Sequence, residues 1–65
     1  MDVRRRKAIF RAVFNYFEKY DAMRIIDWQA AADELLEISG QFDQDEFANN
    51  LLAAIYAQLQ RGHAV

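Results

Sequence analysis

The chain has 65 residues and a formal net charge of −2, is 54% hydrophobic and 28% charged, and contains neither Cys nor Pro. This length allows one domain, residues 1–65, burying only roughly 60% of its unfolded surface. The apolar fraction argues against disorder, and the missing Cys excludes disulfides and thiolate metal sites together.

The first element opens with RRRKAIFRAVFNYFEKY, which holds six of the eight Lys/Arg. It starts like a charged leader, but Arg11, Asn15 and Glu18 interrupt the apolar stretch behind the cations, so no signal-peptide core forms. It also resembles an Arg-rich mitochondrial presequence. Those are Ser-rich and poor in acid, whereas Ser39 is the one Ser and Asp2 stands at the front. The longest apolar run, residues 51–57, falls far short of the roughly 20 residues a membrane span needs. The expectation is a soluble, unprocessed cytoplasmic chain with no membrane segment.

Apolar spacing predicts a first helix over about residues 2–22. On a wheel of about 100° per residue, Ile9, Phe10, Val13, Phe14, Tyr16, Phe17 and Tyr20 fall within roughly 160°. Arg4, Lys7 and Arg11 fall opposite, continued by Asn15 and Glu18. Single-strand binders place aromatics beside cations, and the wheel separates them here, so these aromatics are expected in a core. The Arg4-Arg5-Arg6 start is less easily explained. Helix dipoles disfavour cations at an N-terminus by about 0.3–1 kcal/mol. Residues 1–20 carry six cations and two acids, while residues 21–65 carry two and eight. Pairing between this basic end and the acidic remainder is therefore expected. A basic patch of Arg4, Arg5, Lys7 and Arg11 binding nucleic acid weakly and salt-sensitively is the alternative.

A second helix is predicted over residues 28–39, with Asp27 as N-cap. Trp28, Ala31, Ala32, Leu35 and Ile38 form its apolar stripe, and Gln29, Asp33 and Glu37 its polar side. A third helix is predicted over residues 44–61. Asp43 and Glu46 fit a capping box, Phe42 and Phe47 a hydrophobic staple, and Gly40 and Gly62 are expected as left-handed residues just past helix ends. Its stripe is Phe47, Ala48, Leu51, Leu52, Ile55 and Leu59. Ala53, Tyr56 and Ala57 lie off that stripe. Three amphipathic helices with short connections predict an all-α, up-down-up three-helix bundle.

A DNA-reading helix-turn-helix is argued against by the start of the third helix, DQDEFANN, which sets Asp43, Asp45 and Glu46 where phosphates would lie. Asn49 and Asn50 lack basic neighbours. Catalysis finds no support. There is no Cys or Thr, Ser39 has no predicted base, and His63, the sole His, is expected to fray beyond the last helix. Asp33/Glu37 sit on an outer face, and Asp43/Asp45/Glu46 lack the Gly and distal Glu of a calcium loop. No catalytic residue, cofactor or metal is expected. Because a core this small contributes little net stability, the favoured function is non-enzymatic: a protein-protein interaction module or homodimer. Its expected contact is Ala53, Tyr56 and Ala57, where small residues admit another helix. Membrane binding by the first helix is disfavoured because its phenylalanines are expected inside.

Overall fold

The computed structural model describes residues 3–63. It contains three helices, α1 Val3–Asp21, α2 Trp28–Gln41 and α3 Glu46–Gly62. They pack on one another as an elongated bundle of 39 × 17 × 15 Å. The predicted start at residue 2 lies outside the described residues. Cross-helix bonds give the up-down-up order directly. The Arg5 guanidinium, at the start of α1, donates to the carbonyl of Phe42, just past α2, at 2.7 Å. At the other end, His63 Nε2 faces the Met23 carbonyl at 3.1 Å, so α1 and α3 finish together.

The core joins Ile9, Val13, Tyr16 and Tyr20 of α1 to Ala31 and Ile38 of α2 and Ala48, Leu52 and Leu59 of α3, with Ile26 closing one end. Removing a large apolar side chain such as Leu52 from water contributes about 1.5–3 kcal/mol. Tyr16 is buried together with its hydroxyl, which donates to the Ala31 carbonyl at 2.8 Å. Lys19 Nζ and the Tyr20 hydroxyl both donate to Glu34 Oε1, at 2.7 and 2.9 Å, tying α1 to α2 a turn further on.

Two expectations for the α2–α3 connection are corrected. The N-cap of α3 is Asp45, whose carboxylate accepts from the Ala48 amide, so the Asp43/Glu46 box and the Phe42/Phe47 staple do not form. Phe42 and Phe47 instead each pack against the core. Neither Gly40 nor Gly62 is left-handed, and both lie within helices. The chain reverses at Asp43 and Gln44, each with φ 55°. Continuing α2 past Gly40 brings Phe42 onto the core. The left-handed conformation then falls on the next two residues, held by Asp43 and Gln44 amides donating to Gly40 and Ser39 carbonyls. Asp27 caps α2 as expected, accepting from the Gln29 and Ala30 amides. His63 is not frayed: its Nδ1 faces the Leu59 carbonyl while Nε2 faces Met23.

Candidate interaction surface

The basic start of α1 is placed by this topology against the end of α2. That end carries carbonyls without helical partners, so cations that disfavour their own helix dipole meet acceptors of another. Arg5 bonds Phe42 and lies 3.8 Å from Asp45. Arg6 stands over the Phe47 ring, 5.1 Å from its centroid. Of the expected basic patch, Arg5 is thus half-buried and turned inward, while Arg4, Lys7 and Arg11 are exposed. Lys7 and Arg11 form no ion pair among the described residues.

The expected aromatic arc is overturned at one end. Ile9, Val13, Tyr16 and Tyr20 are buried, but Phe10 and Phe14 are 53% and 59% exposed. They lie at the edge of the arc, where Phe10 meets α3 edge-on at Phe47, with centroids 5.4 Å apart. Two neighbouring helices cover less of α1 than the width of its apolar arc. Lys7 and Arg11, expected opposite the aromatics, are only about 20° and 60° from Phe14 at about 100° per residue, so all three share one outer face, and Val3 extends it.

The second surface is a groove of about 820 Å³ between α2 and α3. Ala53, Tyr56 and Ala57 line it from α3, and Ala32, Leu35 and Leu36 from α2. Facing alanines are too short to fill the seam, which therefore stays open. Tyr56 is steadied from behind by Trp28, edge-on at 5.7 Å. One end is polar and internally bonded: the Ser39 hydroxyl donates to Asn49 Oδ1, and Asn49 Nδ2 donates to the Gln44 carbonyl. No buried side-chain N or O among the described residues lacks a partner. The middle is apolar and unfilled, with Leu36 67% exposed.

Helical spacing alone does not single out the α2 half of this groove. Leu36 nonetheless carries a readable signal, since it falls outside the stripe of Trp28, Ala31, Ala32, Leu35 and Ile38 and stands next to Glu37. Among the described residues, no cluster of His, Asp or Glu is arranged to hold a metal. No helix there is long and apolar enough to cross a membrane. Comparison with known proteins finds no match: no family model, no curated protein and no solved structure aligns with the chain.

Proposed function

We propose that this is a non-enzymatic protein-interaction module that receives an amphipathic helical segment in the α2–α3 groove. The observation carrying this reading is the open apolar seam lined by Ala32, Leu36, Ala53, Tyr56 and Ala57. Helix-in-groove recognition uses such a floor, onto which apolar anchors at helical spacing are laid. Small residues permit the close approach that such packing requires. The compartment we propose is the cytoplasm, since small secreted domains commonly rely on disulfides and this chain has no Cys.

The test is an amide NMR titration with amphipathic helical peptides, one set cationic and one anionic. Saturable shifts at Ala53, Tyr56 and Ala57 with one set are expected, and Ala57→Glu abolishes them while the circular dichroism spectrum stays helical. Absence of shifts with either set refutes the reading.

A second reading has one observation in its favour. The outer face of α1 sets exposed Phe10 and Phe14 beside Lys7 and Arg11, the pairing of stacking ring and cation that single-stranded nucleic acid uses. It predicts oligonucleotide binding that weakens steeply with salt.

A further inference from the structure

Resting on the groove reading, we propose that the segment the groove receives is the outer face of α1 from a second copy of this chain. The molecule then self-associates head to tail.

Two apolar surfaces remain exposed on one short chain, and they match in three respects. The first is chemistry. The α1 face presents Val3, Phe10 and Phe14, all more than half exposed, at i, i+7 and i+11. This spacing keeps them in one row along the helix, which is the form of ridge that a seam of alanines between two helices accepts.

The second is charge. Lys7 stands between Val3 and Phe10 on that row, with Arg11 beside it, both exposed. Residues 25–60, which build the groove up to its last lining residue, contain seven carboxylates and no Lys or Arg. Among these, exposed Glu46 lies on the groove side of α3 two turns before Ala53, while Asp33 and Glu37 stand on the outer side of α2. An apolar floor within so acidic a stretch of chain favours a cationic apolar ridge over an anionic one.

The third is length. Val3 to Phe14 and Asn49 to Gln60 are each eleven steps of helix, about 16 Å at 1.5 Å per residue.

The two surfaces of one molecule cannot meet. Ile9, Val13, Tyr16 and Tyr20 hold the opposite side of α1 against the bundle, so the ridge faces outward and only another copy can present it to the groove. Donor and acceptor surfaces differ, which makes the contact heterologous.

The deciding experiment is sedimentation velocity of the full chain with two variants at exposed positions, Phe14→Glu and Leu36→Asp. Wild type is expected to gain mass with concentration, and its association to weaken several-fold as ionic strength rises from about 0.01 M to about 1 M, where the screening length falls from roughly 30 Å to 3 Å. Each variant alone is expected to remain a folded monomer. An equimolar mixture is expected to form a species of two chains, because one variant keeps an intact groove and the other an intact ridge. A monomeric wild type at all concentrations overturns the proposal. So does an associating wild type whose variants, mixed, stay monomeric. Titration of that monomer with a Leu/Lys amphipathic helical peptide then separates the two claims. Shifts at Ala53 and Ala57 keep the groove reading and discard the second copy as occupant, whereas no shifts discard both. Shifts confined to Phe10 and Phe14 with oligothymidine, without self-association, overturn the proposal in favour of nucleic acid.

Discussion

At the scale of single residues, Tyr16 has the most consequential surroundings. Its ring is 1% exposed and its hydroxyl is committed to Ala31. Burial pushes the phenol up to about 12, and the neighbouring Tyr20, Tyr56 and Glu34 add to the rise. A phenol held more firmly protonated in the fold contributes stability that is fully present below its ordinary value of about 10. That contribution disappears as pH climbs through the raised value. Tyr16→Phe is expected to cost about 1 kcal/mol at neutral pH by removing the buried hydrogen bond. It should also flatten the alkaline loss of stability. Urea unfolding at neutral pH and near pH 11 checks both, and an alkaline decline as steep as that of wild type would assign the effect to another group. The carboxyl of Glu34 is shifted the other way, below its usual range, chiefly by the hydrogen bond from Lys19. Its contribution is therefore present at neutral pH and lost on acidification.

At the scale of elements, α2 and α3 each begin at a side-chain cap. Asp27 and Asp45 each satisfy amides at the start of a helix, and a lost cap of this kind costs about 0.5–2 kcal/mol. Asp45 offers the sharper test, because Asp43 lies two residues before it and carries the same chemistry. The geometry assigns the cap to Asp45 alone, while Asp43 is left-handed. Asp45→Ala is therefore expected to lower stability by about 1 kcal/mol. Asp43→Gly should leave stability unchanged or raise it by a few tenths of a kcal/mol, since glycine adopts a positive φ without the penalty a Cβ brings. Thermal unfolding of both variants distinguishes them, and the opposite ranking would move the start of α3 back toward the capping box. Gln44 shares the left-handed conformation, so Gln44→Gly should behave as Asp43→Gly does.

At the scale of the whole molecule, stability is concentrated on one side of α3 and an unfilled seam on the other. Leu52 is fully buried, and truncating such a residue costs about 2–5 kcal/mol. That is comparable with the whole stability of a chain of this size at roughly 0.05–0.15 kcal/mol per residue. Leu52→Ala is thus expected to unfold much of the population at room temperature. Leu36→Ser, on the groove, should change stability by no more than about 0.5 kcal/mol, as surface substitutions do. Circular dichroism melts of the pair test this. Equal losses would place Leu36 in the core and remove the open floor on which the proposed function depends. The same contrast explains why the proposed contacts fall on Leu36, Phe10 and Phe14. Leu36 and Phe14 leave more than half of their surface uncovered, as does Phe10 despite its contact with Phe47, and exposed apolar area of this kind is what the proposed contact would bury.

Residue type marked the cap at Asp27, and helical periodicity by itself determined three helices and the buried stripes carrying Ile9, Val13, Ala31, Ile38, Leu52 and Leu59. These arise from contacts between residues three and four apart, which the order of the chain already specifies. Three outcomes belonged to the tertiary structure alone. Phe10 and Phe14 stay outside because two neighbouring helices cover only part of an apolar arc. Arg5 turns inward because antiparallel packing brings the carbonyl end of α2 to the start of α1. Reversal falls on Asp43 and Gln44 because seating Phe42 on the core carries α2 beyond Gly40. Each depends on where residues more than thirty positions away, or a neighbouring helix, come to rest. Side-chain spacing states which face of a helix is apolar, and the positions of the other helices decide how much of that face is covered.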